Sequence, residues 1–585
     1  MLAAAIFLFS REASFVMLAA MRVILSTLHS KFIHASLALP LLAAYCHRPQ
    51  RTLLIREFTV HEPKETVLAA LLAEQPDVVA FSVYIWNRTA TLELADALAV
   101  ARPGLRVVLG GPEVSFDGPQ LFERHPGIAA LVHGEGELPL RALFDAWQQG
   151  HRPDGIPRLS WRDGVTVQSA PDGPLLTDLD DVPSPYPLGL VDLSRGLVYL
   201  ETSRGCPYRC SFCMSALDTR VRSYSMQRIQ TDLLWLMRHE VPTIKLVDRT
   251  FNYDAARARD IFRFILEHNR VSRFHFEIGA HLLDDATLSL LGQVPDEMFQ
   301  FEIGVQSTLP ETLAAIGRET SMEKLEANVQ RLCRAGNIHL HLDLIAGLPG
   351  QGSDSFLQSV DRVMALRPHH LQLEPVKLLP GAPLRRDAAA LGLRFDPHPP
   401  YGVLATPDLS FEELEGLRGI GRLLDLTWNS GRLQEFLEQL TLLHGSLSAA
   451  LKALETFWRS QGLFRRLMSQ RSLFDECWNF IRTVCDPIQI QPLQEALARD
   501  FVRVERVAPA HAPEFLNLDL LPDEQERVRE QVHLETEKIK GQGIKLQHLA
   551  CVFSRLPGKE TRRTVLLFVY LTRPGAAMQV KQIEI

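Results

Sequence analysis

The chain contains little cysteine and no excess of positive charge. Its 8 cysteines among 585 residues show no regular pairing pattern, which argues against a secreted disulfide scaffold and favours a reducing compartment. Lysine and arginine number 62 against 69 aspartates and glutamates, a formal net charge of −7. No overall basic excess therefore indicates nucleic-acid binding. We expect a cytoplasmic protein without a nucleic-acid partner.

Apolar runs long enough to cross a membrane are also lacking. The apolar stretch Leu2–Phe9 is short, and the charged residues Arg11 and Glu12 come directly after it. A membrane-spanning helix needs about 20 apolar residues, and a signal peptide begins with a basic region. We interpret residues 1–20 as a disordered extension and expect no membrane partner.

Strand and helix patterns divide the remaining sequence into four regions. Residues 21–150 alternate five strands with five helices on short connections, which predicts a doubly wound parallel sheet. Residues 151–195 contain a hairpin and an acidic, proline-rich linker, and residues 196–385 contain six β/α units. Six such units suit a partial (β/α)6 barrel rather than a complete eightfold one. Residues 386–585 read as a mainly helical domain that ends in a small antiparallel sheet, so the fold class is α/β.

Three of the scarce cysteines, Cys206, Cys210 and Cys213, lie within eight residues, directly after the first barrel strand. A structural zinc site usually has four ligands, yet no cysteine or histidine occurs from residue 214 to residue 238. A disulfide with a spare thiol is disfavoured in a reducing compartment. The third interpretation is an iron–sulfur cluster, in which three thiolates bind three irons and leave a fourth open to another ligand.

The spacing Cys-x3-Cys-x2-Cys, with the aromatic Phe212 before the last cysteine, resembles the signature of the radical S-adenosylmethionine (SAM) superfamily. The resemblance implies a [4Fe-4S] cluster held by the three cysteines, which would be both its metal ligands and catalytic residues. It also implies a SAM site at the ends of successive barrel strands. The residues that match its motifs are Phe212, Asp248, Glu277, Gln306, Arg318, Asp343 and Ile345.

The motifs imply a role for each of these SAM residues. Asp248 in "LVDRTF" takes the position that meets the SAM amino group, and Glu277 matches an acidic residue at the end of the third strand. Gln306 is expected at the ribose or methionine portion, and Arg318 at the SAM carboxylate. In "LDLIAGLPGQ", Asp343 faces the ribose and Ile345 lines the adenine. Gln351 departs from the glutamate that many members carry at that position, but it keeps a hydrogen-bonding side chain.

Each of these residues, taken singly, is equally well explained as a solvated strand end or a turn residue. Their ordered placement at successive strand ends is what gives the set its weight, because barrels of this kind keep their chemistry at the carboxyl ends of the strands.

The parallel-sheet region 22–150 resembles the cobalamin-binding domain of the B12-dependent radical SAM subclass. Three loops at strand ends would form the crevice for the ligand: "SVYIWN", "GGPEVS" and "HGEGE". The predicted cobalamin-binding residues are Ser82, Tyr84, Trp86, Asn87, Gly110, Gly111, Pro112, Glu113, Gly134, Glu135 and Gly136.

One departure concerns the axial ligand of cobalt. Many cobalamin proteins place a histidine under cobalt with the motif Asp-x-His-x-x-Gly, which this sequence lacks. After the first strand the chain reads "HSKFIHAS" instead, and we interpret His29 and His34 as loop or helix-start residues. We therefore predict base-off cobalamin without a histidine ligand from that motif, with Tyr84, Ile85 or Trp86 shielding the lower face.

The resemblance implies a B12-dependent radical SAM methyltransferase that acts at an unactivated carbon of an unknown substrate, with a flavodoxin or ferredoxin-type electron donor. Cobalamin-assisted cyclisation or rearrangement without methyl transfer is an alternative, and a non-catalytic cobalamin or redox sensor is a second. RNA methylthiolation is disfavoured, because relatives with that activity carry a second cluster in the N-terminal domain, where this chain has only Cys46. The other cysteines, which are Cys46, Cys333, Cys477, Cys485 and Cys551, are expected to be buried structural thiols.

Overall fold

The computed structural model describes residues 21–556, 561–573, 575 and 578–585, so the predicted extension, residues 1–20, lies outside the described residues. The described chain divides into two compact units. The first comprises the described residues through Phe301 with Lys377–Asp387 and Asp396–Gly402, and the second comprises Glu302–Val376, Ala388–Phe395 and Val403–Ile585. These units do not follow the predicted domain bounds, which were placed at changes of sequence pattern, and those bounds stay a prediction.

The first unit begins with a seven-stranded sheet. Its strands are β1 (Met21–His29), β2 (Arg51–Thr59), β3 (Val78–Ser82), β4 (Arg106–Gly110), β5 (Ile128–Val132), β6 (Leu159–Asp163) and β7 (Thr166–Ser169). Their order is β2-β1-β3-β4-β5-β6-β7, and β1 to β5 pair in parallel. The direction of winding reverses between β1 and β3, which confirms the predicted doubly wound sheet and defines its switch point.

Helices cover both faces of this sheet. They are α1 (Ala38–Cys46), α2 (Lys64–Ala73), α3 (Arg88–Ala101), α4 (Pro119–Arg124) and α5 (Glu137–Gln148). Alternate residues of each strand point to opposite faces. Ile24 of β1 therefore joins the core formed with α2, α3 and α4, while Val23 and Leu25 join the core formed with α1 and α5.

The hairpin of β6 and β7 is part of the first sheet, although the sequence placed it in a separate linker. β6 pairs antiparallel with β5 through Ala130 and Trp161, and β7 closes the hairpin where Asp163 pairs with Thr166. The backbone groups along the outer edge of β5 thereby gain hydrogen-bond partners, which a buried or exposed sheet edge otherwise lacks.

The first unit continues with the strands of the predicted barrel. These elements are β8 (Leu197–Leu200), β9 (Ser203–Arg204), β10 (Arg222–Ser223), α6 (Met226–Arg238), β11 (Thr243–Leu246), α7 (Ala255–His268), β12 (Arg273–Glu277), α8 (Asp285–Leu291) and β13 (Phe299–Gln306). β11 pairs in parallel with both β8 and β12. β9 and β10 form a small antiparallel pair, and between them lies the segment with the three cysteines.

The second unit begins at Glu302, within β13, and contains the remaining barrel strands. Its remaining elements, together with α12 of the first unit, are α9 (Pro310–Ala315), α10 (Met322–Ala335), β14 (His339–Ala346), α11 (Ser353–Met364), β15 (His370–Pro375), α12 (Pro383–Arg386), β16 (Arg394–Phe395), β17 (Val403–Ala405), α13 (Phe411–Leu424), α14 (Gln434–His444), α15 (Leu447–Ser460), α16 (Gln470–Val484), α17 (Pro487–Val504), α18 (Pro522–Lys538), β18 (Lys545–Phe553), β19 (Thr564–Thr572) and β20 (Gln579–Glu584). The barrel strands follow the order β15-β14-β13-β12-β11-β8, and β18, β19 and β20 form an antiparallel sheet. Both the six barrel strands and the helical C-terminal region with its small sheet are as predicted.

Burial alternates along the barrel strands. In β14, Leu342 and Leu344 are buried, whereas Asp343 and Ile345 on the opposite face are only partly covered. The period of two therefore presents alternate residues to one face. No helix among the described residues combines the length and the apolar character that crossing a bilayer requires.

Candidate functional site

The three cysteines lie on a tight loop between β9 and β10. The loop begins at Gly205, whose φ is +90°, and a Cβ atom there would lie 2.5 Å from the carbonyl oxygen of Arg220. Only glycine meets both conditions without strain. The backbone N–H of Cys206 donates to the Asp218 carbonyl at 3.0 Å, and that of Cys213 donates to the Cys210 carbonyl at 3.0 Å. These bonds hold the loop in a compact form.

The cysteines of the chain differ in how far they are buried. Cys206 and Cys210 are buried, at 8% and 5% exposure, and Cys213 is partly exposed. Burial raises the pKa values of Cys46 and Cys551 to about 12, so those thiols stay protonated, as expected for structural cysteines. Cys477 is also buried, whereas Cys333 and Cys485 are partly exposed, so the expectation of burial fails for these two.

The loop brings three thiol donors, the residue type that iron–sulfur clusters use. No group of three histidine, cysteine, aspartate or glutamate side chains in the described part of the chain converges on one metal ion. A cluster has no such requirement, because each thiolate binds its own iron. Phe212, which precedes the last cysteine, is half-buried in the loop.

A cavity of about 550 Å³ opens at the carboxyl ends of the parallel strands of the first sheet. This is the switch-point position at which doubly wound sheets bind ligands. Eight of the eleven predicted cobalamin residues line it: Ser82, Tyr84, Gly110, Gly111, Pro112, Gly134, Glu135 and Gly136. Its deeper wall is apolar, with Leu25, Ala80 and Val108 from the sheet and Leu42 and Leu140 from the helices.

Gly111, which lines the cavity, occupies a position that requires glycine. Its φ is +103°, and a Cβ atom would lie 2.6 Å from the backbone oxygen of Val83. The loop after β4 therefore packs directly on the backbone at the end of β3.

Trp86 and Asn87 do not line the cavity, but both contact Tyr84, which does. The Trp86 ring stacks on Tyr84, with centroids 4.6 Å apart and planes 4° from parallel, and its Nε1 donates to the Leu28 carbonyl at 3.0 Å. Asn87 is buried; its Nδ2 donates to the Leu28 carbonyl and its Oδ1 accepts the N–H of Tyr84 at 2.7 Å. Both side chains therefore fix the position of Tyr84.

Glu113 also lies outside the lining of this cavity. Its carboxylate accepts a hydrogen bond from the Tyr401 hydroxyl and lies 3.7 Å from Arg88. Burial raises the pKa of Glu113. Its position at a strand end was predicted, but its side chain points to a different set of partners.

Residues that the sequence reasoning missed complete the cavity. Met214, Ser215 and Leu217 line it from the segment that follows Cys213, and Arg249 lines it from the end of β11. The available signal was their adjacency to the third cysteine and to Asp248. The three-cysteine loop and the strand-end loops of the first sheet therefore share one cavity.

Neither histidine of "HSKFIHAS" lines this cavity. The Nε2 atom of His29 lies 3.1 Å from Glu57, and the Nδ1 atom of His34 lies 2.9 Å from the Tyr199 hydroxyl. Burial lowers the pKa of His34. Both side chains thus have structural partners. His34 lies in the loop before α1, whereas His29 is the last residue of β1 rather than a loop or helix-start residue.

Asp248 is buried at the end of β11, where it braces the start of the cysteine segment. Its Oδ2 accepts the N–H of Thr202 at 3.1 Å and its Oδ1 accepts the Thr202 hydroxyl at 2.6 Å; Oδ1 also accepts the Ser203 hydroxyl. Burial raises its pKa, and the Arg257 guanidinium 3.8 Å away opposes this rise. Glu277, the predicted acid at the end of the third barrel strand, is partly exposed and lies 3.6 Å from Lys245. The proposed SAM contacts of both stay predictions.

The predicted SAM residues of the second unit form a group of their own. Gln306 ends β13 with φ +70°, and its amide folds back over Gly304, where a Cβ atom would lie 2.1 Å from Nε2. The Arg318 guanidinium donates to the Gly304 carbonyl. The Oε1 atom of Gln306 is buried and has no hydrogen-bond partner within the part of the chain that the structure describes. A buried, unpaired amide oxygen beside a strained backbone is typical of a ligand site.

Asp343 and Ile345 lie on the same face of β14. The Oδ1 atom of Asp343 lies 3.1 Å from Nε2 of His341. Burial of the His341 ring lowers its pKa, but the Asp343 carboxylate raises it, and the net result is a raised pKa. His341 thus positions a predicted ribose contact, and nothing in the sequence motif pointed to it.

Comparison with known proteins agrees with this geometry. Residues 23–144 match the B12 binding domain, residues 200–363 match the radical SAM superfamily, and residues 389–549 match a family described as a protein of unknown function, DUF4080. The chain therefore carries a B12-binding domain followed by a radical SAM domain.

Two curated relatives align with more than half of this chain. The chain is 32% identical over 365 residues to the cobalamin-dependent radical SAM methyltransferase TokK of Streptomyces tokunonensis, covering 58% of this chain and 53% of that protein. It is 30% identical over 362 residues to the 2-(S-pantetheinyl)-carbapenam-3-carboxylate methyltransferase of Streptantibioticus cattleyicolor, covering 58% and 51%. The chain thus spans about half the length of the curated relatives it matches.

A solved structure extends the likeness in fold. The cobalamin-dependent SAM radical enzyme OxsB, with aqua-cobalamin and SAM bound, superposes with a TM-score of 0.57. The match covers 90% of this chain and 81% of that chain at 18% sequence identity. The shared fold therefore includes the C-terminal region as well as the two matched domains.

Proposed function

We propose that the protein is a cobalamin-dependent radical SAM methyltransferase that acts at an unactivated carbon. One observation carries the proposal: the loops after β3, β4 and β5 line a single cavity together with Met214, Ser215 and Leu217, which follow the last cysteine. A cofactor in that cavity would lie beside the cysteine loop, as methyl transfer to a substrate radical requires. The names of the curated relatives, both methyltransferases, support the same reaction class.

Cys206, Cys210 and Cys213 would hold the [4Fe-4S] cluster, with one iron left for SAM. When bound, the cluster and cobalamin supply the chemistry: an electron that splits SAM into methionine and a 5′-deoxyadenosyl radical, and a methyl group for the substrate radical. Backbone hydrogen bonds from the N–H groups of Cys206 and Cys213 would support the loop, and burial of Cys206 and Cys210 would keep water from their surroundings.

The proposed SAM contacts follow from the polar atoms at the strand ends. Gln306 presents a buried amide oxygen that lacks a partner in the described chain, which suits the hydroxyls of a ribose or an amine. Arg318 beside it brings a positive charge, as the SAM carboxylate requires. Asp343, oriented by His341, would accept from the ribose, and Ile345 would lie against the adenine. We assign Asp248 a positioning role at Thr202 and Ser203, with any contact to the SAM amine made through that segment.

Cobalamin would bind in the cavity of the first sheet, held in part by Tyr84, whose ring stacks on Trp86. His29 and His34 have other partners and would not take part in holding it. The substrate is unidentified, and residues 386–585 would shape its pocket. A flavodoxin or ferredoxin-type donor in the cytoplasm would supply the electrons.

The test is anaerobic reconstitution of the full chain with iron, sulfide, cobalamin and SAM that carries a deuterated methyl group. Under a strong reductant we expect release of 5′-deoxyadenosine and transfer of the labelled methyl group to cobalamin, both of which can be read by mass spectrometry without the substrate. The variants Cys206→Ala, Cys210→Ala and Cys213→Ala should lose the cluster absorbance. Cys485→Ala, which removes a partly exposed thiol elsewhere, is the matched control and should keep it.

Absence of 5′-deoxyadenosine from a preparation that holds both cofactors would contradict the enzymatic proposal and favour the sensor. Release of 5′-deoxyadenosine without any label on cobalamin or product would instead favour cyclisation or rearrangement without methyl transfer.

A further inference from the structure

We propose that Glu135 couples cobalamin binding to the cysteine loop as a positioning residue. Glu135 lies in the loop after β5 and pairs with Arg204 and Arg222, and we call these three residues the clasp. The inference rests on the proposed function, because it concerns how two cofactors that both bind would influence one another.

Within the clasp, the Glu135 carboxylate contacts both arginine side chains. One carboxylate oxygen of Glu135 pairs with Nη2 of Arg222, and the other lies 3.1 Å from Nη1 of Arg222 and 3.5 Å from Nη1 of Arg204. A carboxylate and a guanidinium paired through two bonds have a defined relative orientation as well as a favourable energy. Glu135 is thereby tied to both arginines at once.

The two arginines stand at the two ends of the cysteine loop. Arg204 belongs to β9 and Arg222 to β10, and they are direct partners in the antiparallel register of that pair. The chain between them, residues 205–221, contains Cys206, Cys210 and Cys213. A group that fixes both arginines therefore fixes the base from which the loop emerges.

Neighbouring groups reinforce this arrangement. Arg204 also lies 2.7 Å from Glu137, the first residue of α5, and 2.9 Å from Glu201. Arg222 also lies 2.9 Å from Asp218 and donates to the Leu176 carbonyl at 2.6 Å. The Arg222 side chain is only 4% exposed and that of Arg204 12%. Buried guanidinium groups depend strongly on their partners, because an unpaired buried charge is costly.

The loop that carries Glu135 also forms part of the cavity wall. Gly134 and Gly136, on either side of Glu135, line the cavity proposed for cobalamin, as Glu135 itself does. A ligand that orders this loop restricts the carboxylate of Glu135, and through it the arginines and the cysteine loop. By thermodynamic reciprocity, a cluster that orders the cysteine loop must then strengthen cobalamin binding by the same factor.

The test compares cobalamin affinity in two forms of the full chain: one with the reconstituted cluster and one in which all three loop cysteines are replaced by alanine. We expect cobalamin to bind about fivefold or more tightly to the cluster-containing form, the lower end of measured coupling between sites. The Glu135→Gln variant keeps the shape of the side chain but loses its charge. In this variant the ratio of the cobalamin affinities of the two forms should fall to about one. The reciprocal readout is iron release to a chelator, which cobalamin should slow in the wild type but not in Glu135→Gln.

Asp145→Asn is the matched control. Asp145 lies 2.7 Å from the buried Arg51 in the same sheet domain but outside the cavity lining, so the variant loses a similar ion pair and should keep the wild-type ratio. Arg222→Lys keeps the charge without the two-bond geometry and should give an intermediate ratio, which protects the test if Glu135→Gln folds poorly.

A wild-type ratio of about one, or a Glu135→Gln ratio equal to that of the wild type, would overturn the inference. Failure of the proposed function has a different signature, since the wild type would then bind no cobalamin in either form or develop no cluster absorbance.

Discussion

Replacing Gly205 with alanine is the sharpest perturbation of the cysteine loop. A Cβ atom at this position would lie 2.5 Å from the Arg220 carbonyl oxygen and 3.1 Å from that of Asp218. The φ of +90° adds backbone strain of about 1–3 kcal/mol for a residue other than glycine. Moving Asp218 aside would also weaken its bond from the Cys206 N–H, worth about 1 kcal/mol. We expect a total cost of about 2–4 kcal/mol, borne by the loop itself.

The assay is iron content and cluster absorbance after anaerobic reconstitution, together with the thermal unfolding midpoint. Gly164→Ala is the control, because Gly164 has φ +59° and nothing within 4 Å of a Cβ atom. It should show backbone strain alone and keep full cluster content, whereas Gly205→Ala should lose most of its iron. A Gly205→Ala protein with wild-type iron content, and a midpoint no lower than that of Gly164→Ala, would refute the reasoning.

Three further predictions concern other parts of the molecule. Burial raises the pKa of Asp500 to about 7, so the stability it contributes is complete at low pH and is lost as the pH rises through about 7; Asp500→Asn should remove this loss of up to about 4 kcal/mol. The unfolding midpoint of the wild type should then fall relative to the variant between about pH 4 and about pH 7 and level off above, and parallel curves would contradict the pKa shift. Tyr84→Ala removes a ring from the cavity lining and should weaken cobalamin binding about tenfold or more in a spectroscopic titration, whereas Trp86→Phe keeps the stacking behind Tyr84 and should change it less than about threefold. Asp248→Asn should lower the unfolding midpoint, because the amide keeps only one of the two oxygens that accept from the Thr202 N–H and the Thr202 and Ser203 hydroxyls, at a cost of about 2 kcal/mol. An unchanged midpoint with lost SAM binding would show a direct contact instead.

Periodicity and turn chemistry predicted most of the secondary structure. The alternation of apolar residues in β13 and β14 matches the observed burial, and the five parallel strands of the first sheet alternate with five helices as expected. These patterns are local, so a single sequence contains them. The pairing of β6 with β5 is not local, since it depends on which sheet edge is open after folding, and the sequence placed this hairpin apart from the sheet.

The candidate cobalamin site shows the same division. Placement at a strand end brought eight of the predicted residues to the cavity. It did not predict where each side chain points: Asn87 turns to the Leu28 carbonyl and Glu113 to Tyr401. Direction depends on partners that are distant in sequence, 288 residues away for Glu113.

By itself, the sequence determined the class of this protein and predicted its cluster ligands, because a short motif with fixed spacing keeps three cysteines close together along the chain. Only the tertiary structure decided that the cysteine loop and the loops of the first sheet line one cavity. It also decided that Glu135 pairs with arginines at both ends of the cysteine loop. Glu135 is separated from Arg222 by 87 residues, and no local pattern specifies an ion pair across that distance. Packing of the barrel strands beside the first sheet within one compact unit brings these charges together.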